Sequence, residues 1–179
     1  MFEGPLAYLG LQVAKFRFRN EQDAVQPLTE FFRSAKNVLV MLPIGYDDAA
    51  LAGNALAEVC RKRRNLHVTA VNFGTRSTSL SGCVNCQVVR IDQNEIHRFF
   101  LPKKTALQRI LDHSYDVAVD MNLDFVLHTA YICKASRAKV RVGCAHQAAD
   151  FFFNVQLKFD SAQARSAAYK HYVSRLEMF

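Results

Sequence analysis

Apolar residues gather along the chain in short continuous runs separated by amphipathic stretches. Val38-Leu39-Val40-Met41-Leu42 is the first clear run, the pattern of a strand covered on both faces in a parallel sheet. It ends in a turn, Pro43-Ile44-Gly45-Tyr46-Asp47-Asp48. From Ala49 to Arg63, the residues Leu51, Ala55, Leu56 and Val59 recur at helical spacing, with acids leading and bases trailing, which predicts a helix. His67 to Phe73 is a second β-rich run, and the Ser/Thr-rich stretch 74–82 reads as a loop.

The alternation continues. Gln87 to Ile91, Val117 to Asp120 and Lys139 to Val142 read as strands, and Lys103 to His113 and Phe125 to Ser136 as helices between them. Phe151 to Phe159 predicts a last strand, with Phe151, Phe152 and Phe153 as core aromatics. Ser161 to Leu176 predicts a C-terminal helix with Ser161 as its N-cap, and Pro27 to Lys36 a helix ahead of the first strand. Strands alternating with helices imply a single Rossmann-like three-layer α/β domain, its mostly parallel sheet carrying helices on both faces. Residues 1–35 form an N-terminal extension with a helix, 36–145 the core, and 146–179 the last strand and helix.

Composition narrows the class. A chain of 179 residues, half of them hydrophobic, with 4 Pro and 7 Gly, is globular and can bury one substantial core. Its apolar runs fall well short of the ~20 residues a spanning helix needs, so the chain is not expected to be transmembrane. The start, Met-Phe-Glu-Gly-Pro, lacks the basic stretch and long apolar segment of a secretory leader. The expected location is cytoplasmic, or peripheral to a membrane complex. Cys60, Cys83, Cys86, Cys133 and Cys144 are odd in number and read as free thiols of a reducing compartment.

The formal net charge is +7, which favours an acidic partner. Arg61-Lys62-Arg63-Arg64 is the clearest basic cluster, and it reads as the solvated end of a helix. No aromatic residues are interleaved with it, so no nucleic acid is expected as a partner. A protein partner is expected instead, with Arg61, Arg63 and Arg64 as candidate contacts. Tyr172 and Phe179 would add apolar contacts from the last helix.

In open parallel sheets ligands bind outside the strand ends, so the loop after the first strand is the first place to look for chemistry. That loop carries Gly45, Asp47 and Asp48 but neither G-x-G-x-x-G nor G-x-x-x-x-G-K-[ST], and no cofactor is predicted. Gly45 and Asp48 are candidates for ligand or anion binding, and a carboxylate at a strand end, here Asp47 or Asp48, can serve as a general base. An acid beside a helix start is more often a cap or a macrodipole partner. Cys83-Val84-Asn85-Cys86 could chelate a metal with Cys144 and His146. It has no paired knuckle and precedes a strand, so two ordinary thiols and no metal are expected.

Two passages carry a family resemblance. Val38 to Asp47, followed by a helix and Leu66-His67-Val68-Thr69-Ala70-Val71, resembles the N-terminal half of heptosyltransferase-like glycosyltransferases, family nine with the GT-B fold. Tyr115-Asp116-Val117-Ala118-Val119-Asp120-Met121-Asn122, a helix, and Ala138-Lys139-Val140-Arg141-Val142-Gly143 are similar to a later passage of the same half. Small proteins built on that half alone show the same pattern. The resemblance implies that Asp47 matches the acid of the family's Ile-Gly-Asp, which serves as general base; here Tyr46 stands between Gly45 and the acid. The family's nucleotide-sugar domain finds no counterpart in these residues. The expected function is a non-catalytic binding or accessory subunit of a larger assembly. The alternative is a glycosyltransferase-related enzyme acting with a partner that supplies the nucleotide-sugar domain.

Overall fold

The computed structural model describes residues 4–21, 31–74, 80, 83–159 and 164–178. In chain order the elements are α1 Pro5–Arg17, α2 Phe31–Ser34, β1 Asn37–Met41, α3 Tyr46–Lys62, β2 His67–Phe73, β3 Cys86–Ile91, α4 Lys104–Ile110, β4 Val117–Asp120, α5 Leu127–Ala135, β5 Val140–Cys144, β6 Val155–Leu157 and α6 Arg165–Met178. The strands form one sheet in the order β3-β2-β1-β4-β5-β6, and every pairing is parallel. This is the Rossmann-like arrangement, with its order reversing at β1.

Alternation along β1 builds both faces. Val38 and Val40 point to one side, where they join Ala52, Leu56 and Val59 of α3 and Tyr169, Tyr172 and Val173 of α6. Leu39 and Met41 point to the other, against Ala106 and Ile110 of α4, Ala130 and Tyr131 of α5, and Leu11 and Ala14 of α1. Strand residues two apart share a face, so a continuous apolar run buried on both sides is what such a sheet requires.

The strands predicted over 38–42, 67–73, 87–91, 117–120 and 139–142 match β1 to β5 to within two residues at each end. Two expectations are corrected. Residues 151–159 do not form one strand: Ala149–Phe151 is a 3-10 turn and β6 begins at Val155. Phe152 and Phe153 turn into the core, and the Asn154 side chain adds to the backbone pairing by accepting the Arg141 N–H at 2.7 Å and donating to the Lys139 carbonyl at 2.8 Å. Gly143 lets this happen, because a Cβ there would lie 2.4 Å from the Phe153 ring. The helix expected over 27–36 is seen as α2 alone, and residues 27–30 lie outside the described residues, as does Ser161 with its predicted cap.

The second correction concerns the thiols. Cys60 and Cys83 form a disulfide, leaving Cys86, Cys133 and Cys144 free. The end of α3 and the segment leading into β3 both sit at the N-terminal edge of the sheet, which brings these two cysteines together. A disulfide belongs to oxidising conditions, so the cysteine argument for a reducing compartment falls away. Cys144, at the end of β5, lies at the opposite sheet edge from Cys83 and Cys86, so the four-ligand set does not assemble.

No helix among the described residues is long and apolar enough to cross a membrane.

Candidate functional site

Where the strand order reverses, the chain leaves β1 and β4 in different directions and a crevice opens at their C-terminal ends. The two loops at this point are joined through Asp120, the last residue of β4. Its Oδ1 accepts the Asn122 backbone N–H at 3.0 Å and the Asn122 side-chain amide at 2.7 Å, and its Oδ2 accepts the Thr129 hydroxyl at 2.6 Å. Asn122 Oδ1 accepts the Ile44 N–H at 3.2 Å. Burial pushes the Asp120 carboxyl up to about 6, against the opposing pull of these donors. Its oxygens are committed to the chain, which makes Asp120 a tether.

Two adjoining cavities occupy the crevice on the α1/α5 side. One, of about 370 Å³, lies between the start of α1 (Leu6), Ile44, Phe125 and the start of α5. The other, of about 560 Å³, is walled by Phe73, Ile91, Ile96 and Arg98. Ile44, Phe100 and His128 line both. Phe100 holds a left-handed backbone, φ 57, fixed by its N–H to the His97 carbonyl at 2.8 Å. Such a conformation is costly for an aromatic residue and sets its ring half-exposed at the rim. The adjoining carbonyl of Phe99 seats α1 so closely that a Cβ on Gly10 would fall 2.0 Å from it.

His128 is the polar centre of this crevice. It is the second residue of α5, its ring lies edge-on to Phe73 with centroids 4.8 Å apart, and its Nδ1 is buried with no hydrogen-bond partner. Burial pushes its pKa down to about 4, so the imidazole is neutral at physiological pH. On the other face of the sheet Tyr169 also buries an unpartnered hydroxyl, near Asp48 and Arg165.

The residues singled out from the sequence are placed differently. Gly45 is the N-cap of α3 with extended backbone, and Asp47 and Asp48 follow in the first turn without a side-chain cap bond. They suit the positive helix end there. Asp48 forms an ion pair with Arg165 of α6, whereas Asp47 is exposed and lines neither cavity. Arg61 and Arg64 are exposed at the end of α3. Arg63 is turned inward: its guanidinium donates to the carbonyls of Phe32, Arg33 and Ala35, the latter two at 2.9 and 2.8 Å, and fastens α2 to the core. Tyr172 is corrected as a partner contact, because it is fully buried and its hydroxyl donates to the Asp120 carbonyl at 2.5 Å. Phe179 lies outside the described residues.

Sequence reasoning missed His128, Phe100 and the role of Asn122. Asp120 and Asn122 stood in a quoted motif, but nothing local marked His128.

No family model matches the sequence, and no curated protein matches it. The fold does recur in solved structures. Escherichia coli heptosyltransferase WaaC, solved with ADP, matches with a TM-score of 0.59 and 14% identity over 78% of this chain and 46% of its own. The glycosyl transferase family 9 protein of Veillonella parvula DSM 2008 matches with a TM-score of 0.59 and 17% identity over 80% of this chain and 42% of its own. The chain thus spans less than half the length of either, and shares with them a glycosyltransferase-like fold.

Proposed function

We propose that this chain is a non-catalytic binding subunit of a larger assembly, built on a glycosyltransferase-like half domain, with its ligand site in the crevice around His128. The observation that supports this is the contrast between His128 and Asp47. His128 offers a neutral, buried and unpartnered Nδ1 between the apolar walls of Ile44, Phe73 and Phe100, which suits a small molecule with a ring or apolar face and one uncharged polar group. Asp47, the carboxylate that would act as base, is exposed outside both cavities. Asp92, the one carboxylate lining them, is engaged in the capping box of the turn Gln93–Glu95. A base must reach the proton it removes. Arg61 and Arg64, exposed at the end of α3, supply basic contacts for an acidic protein partner.

The shared fold supports a second reading, a glycosyltransferase-related enzyme whose partner supplies the nucleotide-sugar domain. One experiment separates them. The chain, wild-type and Asp47→Ala, is isolated at low salt together with the partners it binds and incubated with a panel of nucleotide sugars and acceptors, and products are followed by mass spectrometry. The binding reading expects no turnover by either protein and ligand-induced protection of His128 in NMR titrations. Turnover abolished by Asp47→Ala, with the fold intact by circular dichroism, would overturn it.

A further inference from the structure

We propose that α1 is an interfacial helix that lays its outer face on an anionic bilayer surface. The inference is independent of what the crevice binds. Its basis is an inversion of ordinary helix packing. The inward face of α1 is made mostly of small residues, Ala7, Gly10 and Ala14 with Leu11, and Gly10 brings the helix against the backbone at Phe99. The large apolar side chains are outside. Leu6, Leu9, Val13 and Phe16 recur at i, i+3, i+7 and i+10, one stripe of the helix, and are 46%, 49%, 51% and 67% exposed. A solvated helix face would be polar there.

What surrounds the stripe points to the occupant. α1 contains no acidic residue, and Lys15 and Arg17 stand in its last turn. Arg19 follows, its guanidinium 3.9 Å from the centre of the Phe16 ring. Tyr8, also exposed, flanks the stripe with an amphipathic ring. Apolar and aromatic side chains beside cations are the composition of a helix lying at the headgroup boundary, where chains sink and guanidinium groups meet phosphate. Thirteen residues make about 20 Å of helix, too short to span the bilayer core. A second copy of this +7 chain fits the face less well than an anionic surface does.

The test is flotation of the full chain with vesicles of phosphatidylcholine alone and of phosphatidylcholine with phosphatidylglycerol, at low and high salt. The wild-type chain is expected to float with the phosphatidylglycerol vesicles at low salt and to be partly released by high salt. Leu9→Glu/Val13→Glu should weaken partitioning at least about tenfold, through lost apolar insertion. Lys15→Gln/Arg17→Gln/Arg19→Gln should weaken it by a similar factor on anionic vesicles only. Circular dichroism and light scattering establish that each variant is folded and monomeric. A folded wild-type chain that does not float overturns the proposal, as does flotation unchanged in either folded variant. A lipid-free dimer that Leu9→Glu/Val13→Glu dissociates, with no flotation, would assign the face to self-association and overturn it too.

Discussion

Asn122 Oδ1 accepts the Ile44 N–H at 3.2 Å and thereby joins the loop after β1 to the loop after β4 across the crevice. The same side chain donates to Asp120 at 2.7 Å, so one amide serves a backbone donor and a buried carboxylate together. Asn122→Ala should lower stability by about 1–3 kcal/mol, because it deprives buried groups of partners. Urea denaturation at neutral pH measures the loss. An unchanged midpoint would remove Asn122 as a tether.

Gly143→Ala tests how closely Phe153 crosses β5. A methyl group would need to enter a space where the ring stands 2.4 Å away, and overpacking of this kind costs about 1–3 kcal/mol. Phe153→Leu in the same chain should recover part of that loss, so the pair should show favourable coupling in a double-mutant cycle. Additive losses would refute the contact.

His128 and Asp120 respond to pH in opposite senses. The histidine falls from 6.5 to about 4 on folding, so below pH 6.5 the unfolded chain binds a proton that the native chain refuses until about pH 4, and stability drops as pH falls through that window. The carboxyl of Asp120 rises from 3.8 to about 6, so the native chain binds its proton first and gains stability as pH falls from 6 towards 3.8. Comparison of wild type with His128→Gln isolates the histidine. Between pH 6.5 and pH 4 their stability difference should move against the wild type by up to about 3 kcal/mol, from 1.36 kcal/mol per pKa unit. A difference independent of pH would mean that His128 titrates normally.

The Cys60–Cys83 disulfide gives a thiol count. Denatured without reductant, the protein should take up three alkylating groups, and five after reduction. Under native conditions half-buried Cys86 should react before Cys133 and Cys144, which are buried and whose thiols burial pushes up, that of Cys144 to about 12. Reduction should cost about 2–4 kcal/mol of stability by relaxing the constraint on the unfolded chain. Five thiols labelled without reductant would show the bond absent.

Much of the sheet was legible because its strands are read locally. Val38 to Leu42 and Val117 to Asp120 are β-rich apolar runs bounded by turns, and no distant residue is needed to recognise them. α1 was not legible, because it carries small residues inward and large apolar ones outward, which blurs the helical period. The final helix shows the opposite case: its apolar face, read as a possible contact surface, is core, with Tyr169, Tyr172 and Leu176 buried against the sheet.

The sequence by itself determined the parallel α/β class, the order of most strands and helices, and the acids at the start of α3, since each rests on periodicity or spacing within a few residues. Only the tertiary structure decided which of these residues meet. His128 is neutral because burial beside Phe73, far from it in the chain, penalises its charged form. Cys83 pairs with Cys60, and not with its near neighbour Cys86, because α3 returns to the sheet edge where β3 begins. Burial and long-range contact are sums over residues far apart in the chain, and no local pattern records them.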